Sequence, residues 1–488
     1  MKKSYVKSVL TTLVASAILL FLLASCGSSK PDVSPETFSG QTTVSPHESE
    51  TNEIDPAGSK TVQAIEHTTN VVCPEFSLTE GFIIPVKQQA EVPDGFIGIS
   101  SEEDFTKIGL NPGGNYILLN DLDISNVGRD AINSFSGIFD GNGHTITNNG
   151  GTTTNDAHII SLFRSVTDGG IIRNLGVHCS AQFDDYISGG IIIYTMRNAT
   201  IDNCFTDGAI DIGGEDFECF GGLVGEAASS EINNCYNQCN MSSSDEGKIG
   251  GVVFKFDSTT ISNCYNAGNI ICNGKESYAA GISVLAKPFG LGSSVAMSEL
   301  PAEINNSFNI GSISANNAAG ILCDFSFGQV TQLSITRCYN AGVIVGSSSA
   351  SGIGISRNIN DCYNSGNISG ETAFGIAYDD YGKTWSNGIY GTTLYCASSI
   401  YNCYNIGSII AEENGGICSE NHEPRNMQYC YYIDNIAEAT PQGALYANVE
   451  KLTGSELKQE SSFKGFDFEN TWRMGDDNYP YPVFLPAY

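Results

Sequence analysis

Basic residues are scarce in this chain. Its 488 residues hold 23 Lys and Arg against 54 Asp and Glu, a formal charge of −31, which argues against nucleic acid or anionic membrane surfaces as partners. No stretch keeps a helical period of useful length, so helical repeats are excluded. There is no Cys-x-x-Cys, and His47, His67, His144, His158, His178 and His422 show no ligand spacing, so no metal site is expected. Gly-x-Ser-x-Gly is absent as well. Gly382-Lys-Thr384 ends like a P-loop, but six residues separate Gly375 from Gly382 where a P-loop has four. Gly213-Gly-Glu-Asp216 falls short of a calcium-binding nonapeptide. These absences leave no assigned catalytic residue and no expected cofactor.

What is present is repetition. The phrase Ile261-Ser-Asn-Cys264-Tyr265-Asn266-Ala-Gly268-Asn-Ile270 returns with openings at Ile201, Ile232, Ile261, Ile304, Ile335, Ile359, Ile400 and Met427. Its fourth place holds Cys204, Cys235, Cys264, Ser307, Cys338, Cys362, Cys403 and Cys430. A small-Gly-aliphatic phrase such as Gly221-Gly-Leu223 precedes each copy, and Ser161-Leu-Phe163 with Ile172-Arg-Asn174 forms a degenerate copy in front. Spacings of this order mean a solenoid or an array.

Each repeat holds short β-type runs punctuated by Gly and Asn. Cys, Asn, Gly and the closing Ile fall at places 4, 6, 8 and 10, one face of a strand, whereas the opening Ile has the other parity. A bend must separate them, and Asn at the third place (Asn203, Asn234, Asn263, Asn306, Asn402) suits it because Asn tolerates the left-handed region. Short strands stacked on their counterparts one turn away describe a parallel β-helix, an all-β solenoid. About nine coils would make a core roughly 40 Å long. The cysteines then form an interior ladder pointing one way, poor geometry for disulfides, and read as small buried hydrophobes.

Gly221-Gly-Leu-Val-Gly225 followed by Ile232-Asn-Asn-Cys-Tyr236 closely resembles the GLUG repeat of bacterial surface proteins. The lead-in, Asn115 to Ile124 and then Phe139-Asp-Gly-Asn-Gly-His144-Thr-Ile146, resembles the opening coil before such repeats, and Phe466 to Pro482 resembles their usual close. The resemblance covers about residues 96–485. It implies a right-handed β-helix on a secreted or surface protein, often adhesin-like, and no particular ligand. Some large proteins with these repeats resemble immunoglobulin-A metalloproteases, but this chain has no His-Glu-x-x-His, only His422-Glu-Pro-Arg.

Taken in order, residues 1–25 form a secretory signal: Lys2, Lys3 and Lys7, an apolar run from Val9 to Leu23, and Leu23-Ala-Ser-Cys26. The lipobox resemblance implies cleavage before Cys26 and a lipid on its sulfur, a membrane anchor in an extracytoplasmic cell-envelope location. Residues 26–93, rich in Ser, Thr, Glu and Pro, are expected to be a disordered tether averaging about 45 Å end to end. Residues 94–180 form an N-terminal cap and lead-in coils; Ser100-Ser-Glu-Glu103-Asp104 should cap a short helix there. Residues 181–440 carry the repeats, and 441–488 a C-terminal cap whose aromatics, Trp472 among them, plug the far end of the rod. Two long connections, Ser283–Glu303 and Ala377–Ser399, leave from the same corner, three coils or roughly 14 Å apart.

Two columns are candidate sites. The aromatic place after each ladder Cys gives Tyr236, Tyr265, Tyr339, Tyr363 and Tyr404, a stripe of parity opposite to the cysteines; facing out, it would meet sugar rings, and otherwise it stiffens the rod or lies under connections. Four residues past the phrase Gly, acids appear in four copies, at Glu226, Asp324, Asp379 and Glu420, where the other four hold Tyr194, Lys255, Leu285 and Ser356. In register, Asp379 and Glu420 would lie about 5 Å apart and Asp324 about 10 Å from Asp379, near the separations of retaining and inverting glycosidases. The reading preferred is a non-enzymatic, lipid-anchored monomer that contacts an extracellular glycan or surface protein. A polysaccharide hydrolase or lyase and a purely structural spacer are the alternatives.

Overall fold

The computed structural model describes residues 86–126, 132–149, 159–183, 188–213, 219–286, 301–323, 332–354, 358–377, 399–418, 426–434, 449–477 and 480–485. Cys26, the signal and most of the tether lie outside the described residues, as does most of both long connections.

The chain winds as a parallel β-helix with three sheets. Sheet I has twelve strands stacked in sequence order, from Phe96–Ile99 to Asn426–Gln428. Here the opening residues pair in one column, Ile201 with Ile232, then Ile261, Ile304, Ile335, Ile359, Ile400 and Met427. Sheet II gathers the strands after the bend and the Gly-phrase strands, and stacks Phe205 on Tyr236 through to Tyr431. Sheet III has five strands, Phe163–Thr167, Ile193–Arg197, Val224–Ala228, Val253–Asp257 and Ser283–Ala286. One apolar cluster fills the tube from Ile99 to Tyr432.

Twelve levels exceed the nine expected, and lengthen the stack to roughly 50 Å. The lead-in lacks the Cys-Tyr-Asn phrase, yet Ile99, Leu118 and Phe139 are buried in their strands. A coil needs an inward apolar residue per short strand, not the whole phrase.

The bend is where parity placed it. Asn174, Asn203, Asn234, Asn263, Asn306 and Asn402 all have φ between 45° and 56°, and so do Arg337, Asp361 and Tyr429 at the same place of their copies. Reversing the backbone here exposes the carbonyl of the preceding strand end, and the ladder side chain answers it. The Cys235, Cys264, Cys362 and Cys403 thiols donate to the carbonyls two residues back at 3.0–3.2 Å, and Ser307 Oγ does the same at 2.8 Å. The cysteines are buried and free. They are therefore more than small hydrophobes: each is a weak donor at a corner that water does not reach.

Asn at the sixth place forms a second interior ladder. Each carboxamide is buried and donates from Nδ2 to Oδ1 of the next, Asn237 to Asn266, Asn309, Asn340, Asn364 and Asn405, at 2.7–2.8 Å. The second Nδ2 hydrogen of the middle members goes to a glycine carbonyl two residues on, such as Gly342 O at 2.9 Å from Asn340. Thr206 Oγ1 starts the ladder at Asn237, and Tyr432 stands in the register place after Asn405. Glycine is required on both sides: a Cβ on Gly320 or Gly342 would fall on a backbone carbonyl oxygen of the adjacent coil and against an Asn of the ladder. The repeated Gly thus clears space for a hydrogen-bonded spine.

At the N-terminal end the capped helix forms as expected, over Glu102–Lys107. Ser101 Oγ accepts from Asp104 N, Asp104 Oδ2 accepts from Ser100 and Ser101, and Phe105 packs on Phe139 and Phe163 inside the tube. The C-terminal cap departs from expectation. Val449–Leu452 adds a last rung on Cys430–Ile433, but the aromatic tail does not plug the end. It runs back along the outside of sheet II, Phe463 against Tyr431 (5.2 Å), Trp472 against Tyr404 (6.0 Å), Phe484 against Tyr363 (5.5 Å) and Tyr339 (6.4 Å).

Candidate functional site

The aromatic stripe is a spine rather than a platform. Successive rings from Phe205 to Tyr404 stack face to face at 4.8–5.0 Å and within 8° of parallel. Each inner ring has both faces against its neighbours, so a sugar ring has no face to stack on. Tyr236, Tyr265, Tyr339, Tyr363 and Tyr404 are also all buried. The expectation that they form an open ligand-binding stripe is corrected: the rings are stacked on one another at the coil repeat and buried, and the tail packs on Tyr339, Tyr363 and Tyr404.

Burial, with the Asp207 charge second, pushes the Tyr236 phenol from 10.0 up to about 12, and burial raises Tyr265 and Tyr431 as well. A folded-state pKa raised in this way gives stability that is whole below pH 10.0 and is lost as pH rises through about 12. Tyr236 should therefore form tyrosinate only near pH 12, with Tyr265 and Tyr431 also titrating above the ordinary range, together with loss of the β signal, in an absorbance titration followed by circular dichroism. Ionisation of every tyrosine near pH 10.0 with the fold intact would contradict the buried stack.

The tail's seat is written in the repeat's irregularities. Asp361 Oδ1 accepts from Trp472 Nε1 at 3.1 Å and from Asn402 at 3.1 Å, and burial pushes its carboxyl up against the pull of those bonds. Arg337 donates to Leu485 O at 3.2 Å and lies 5.6 Å over the Phe484 ring. The Tyr429 ring fills the space where Gly465 would carry a Cβ. These are the three copies in which the corner Asn is replaced. Tyr404 and Tyr431 hydroxyls donate to Pro482 O and Lys464 O.

Of the acidic column, Asp324, Asp379 and Glu420 lie outside the described residues. Its fourth member, Glu226, sits 3.8 Å from Lys255 on the next strand of sheet III. A polar trio that sequence reasoning did not single out lies on sheet II: Asp207 Oδ1 is 2.8 Å from His178 Nδ1, and Ser180 Oγ is 3.3 Å from His178 Nε2. It has the connectivity of a nucleophile relay. However, the Ser180 amide is taken by Asn149 Oδ1 at 3.0 Å, so it is not free to serve as an oxyanion donor beside the hydroxyl. Cross-strand pairing of His178 with Asp207 accounts for the contact.

The outer face of sheet I is different in kind. Each of its repeat strands turns the middle Ile inward and the two flanking residues outward. One outward column runs Asp202, Asn233, Ser262, Asn305, Thr336, Asn360, Tyr401 and Gln428 in register. All eight are half-exposed. The other column holds Thr200, Glu231, Thr260, Glu303, Ser334, Asn358 and Ser399. Ser262 Oγ donates to Asn233 Oδ1 at 2.5 Å and Ser399 Oγ to Asn358 Oδ1 at 2.7 Å, bonds that align these amides along the axis. The signal was present in the phrase, at its second place and just before it, but the varied side chains hid the column.

No protein-family model matches the chain, and no curated protein matches it. Two solved structures are similar over part of their length. One is an IgA1 protease, 16% identical with a TM-score of 0.41, where the match covers 73% of this chain and 24% of that protein. The other, from Bacteroides ovatus and named as an immunoglobulin A1 protease, is 14% identical with a TM-score of 0.28, and the match covers 80% of this chain and 92% of that one.

Proposed function

We propose that the chain is a lipoprotein of the bacterial cell surface that acts by contact rather than catalysis, with the outer face of sheet I as its binding surface. The observation that carries this reading is the in-register double column of partly exposed polar side chains along the repeat strands of sheet I. The signal ending at Cys26, the tether and the likeness to surface repeats support the location. The alternative surface, the aromatic stripe, is buried, and the tail packs on its C-terminal part from Tyr339 to Tyr431.

Two measurements test it. Fractionation of cells making the whole chain should place it with membranes, and Cys26→Ser should release it; an unchanged distribution would sink the lipid anchor. Cells displaying the chain should adhere to immobilised glycans or matrix proteins, with release of reducing or unsaturated ends assayed on each. Adhesion without turnover supports a contact function. Turnover would replace it with the hydrolase or lyase reading.

A further inference from the structure

We infer that the outer face of sheet I binds a neutral, extended polysaccharide laid parallel to the axis of the β-helix, about one sugar residue per coil. The inference rests on the contact reading above and names its ligand class.

Periodicity comes first. Side chains in the column from Asn233 to Tyr401 recur on six successive levels, each separated by about 4.8 Å. A globular partner would have to match this spacing with an irregular surface. A polymer of one sugar repeats its hydroxyls by translation, and an extended β-linked pyranose chain advances by about one ring length per residue, close to one coil. Chemistry comes second. The column offers carboxamides at Asn233, Asn305 and Asn360 and hydroxyls at Ser262 and Thr336, groups that both donate and accept, as sugar hydroxyls do. Tyr401 adds one half-exposed ring at the end of the run, able to carry a sugar face. Apolar or Arg anchors of the kind that dominate protein interfaces are otherwise lacking on the repeat strands of this face.

Charge narrows the class. The twelve strands of sheet I contain one cation, Arg173, and it is held by Asp140 at 2.9 Å. Glu231 and Glu303 face outward without basic neighbours on the sheet, and Asp202 stands beside Arg173 in register. Between Asn233 and Tyr401 a polyanionic glycan would meet Glu231 and Glu303 and no cation on the strands to pair with, whereas a neutral one needs no such partner. The tail, bonded to Arg337 and Asp361 at the adjoining corner, borders the levels that carry Thr336, Asn360 and Tyr401.

Many weak, equivalent contacts predict affinity that grows with ligand length. The test uses the whole chain with Cys26→Ser and purified oligosaccharides of two to eight residues from a neutral β-1,4-glucan and a β-1,4-xylan, with polygalacturonate as the anionic probe. One neutral series should bind, tightening up to about six residues, one for each level from Asn233 to Tyr401, and then levelling. The triple variant Asn305→Ala, Asn360→Ala, Tyr401→Ala should bind about tenfold or more weakly, with an unchanged melting temperature because all three side chains face out. Equal binding of dimer and hexamer, preference for polygalacturonate, no glycan binding, or full binding by the triple variant would each overturn the inference. If displaying cells still adhere to a protein ligand and the triple variant loses it, this inference falls and the contact reading stands. Adhesion indifferent to the triple variant removes sheet I from both.

Discussion

Asn340→Leu should destabilise the β-helix by about 3–6 kcal/mol, because three buried polar atoms lose partners at roughly 1–2 kcal/mol each. Asn340 Nδ2 donates to Asn364 Oδ1 and to Gly342 O, and Asn340 Oδ1 accepts from Asn309. Leucine has nearly the same volume, so this loss is of hydrogen bonds in a dry, packed interior rather than of contact area. The ladder is continuous, and the damage should spread to neighbouring coils. Denaturant unfolding monitored by circular dichroism measures it. A shift below about 1 kcal/mol would mean that the ladder contributes only the net value of ordinary hydrogen bonds. Cys338→Ser provides the contrast. Ser307 already fills that place one coil earlier and makes the same bond, at 2.8 Å against 3.3 Å for Cys338, so the exchange should cost under about 1 kcal/mol. Cys338→Val keeps the apolar volume and removes the donor, and should cost more than serine. The opposite order would show that the ladder thiols act as hydrophobes alone.

Trp472→Ala should cost about 3–5 kcal/mol, the range for truncating a buried aromatic, and the loss should fall on the tail rather than on the rod. Trp472 is fully buried, packs within 4.6–6.2 Å of Phe484, Phe466, Tyr404 and Tyr363, and donates to Asp361. Its partners on the rod are held by their own stack and by parallel strands, whereas the tail's described sheet pairing is one antiparallel pair, Trp472–Met474 with Pro482–Phe484. Limited proteolysis should therefore cut the variant after Leu452 and leave a β-helix with unchanged far-ultraviolet dichroism. The freed stripe should bind an apolar dye. A single cooperative loss of rod and tail together would show instead that the tail is part of the rod's folding unit. Asp361→Asn keeps an acceptor for the indole and should be milder than the tryptophan change.

Parity within one phrase was enough to locate the left-handed corner, because side chains alternate strictly along a strand and an Ile of the wrong parity demands a bend. It also identified the interior places of Cys and Asn. What parity could not give was the bonding: that the thiol answers the carbonyl two residues back depends on how the corner folds, and that the carboxamides chain from coil to coil depends on distances between residues 24 to 43 positions apart. The lead-in coils were undercounted for a related reason. Tyr116 and Phe139 sit in the same column as Ile172 and Ile201 without sharing the phrase.

The sequence by itself determined the repeating coil, its register and its interior. Each coil meets only its neighbours, so a period in the chain becomes a period in space with no further information. Only the tertiary structure decided which outer surface stays open. An outward aromatic stripe is equally compatible with solvent, a ligand or another segment of the chain, and the choice was made by a tail more than 20 residues beyond the last phrase. The tail gained from burying its own aromatics against the stripe. That cover made Tyr339, Tyr363, Tyr404 and Tyr431 part of the core, whereas the polar columns of sheet I keep part of their surface.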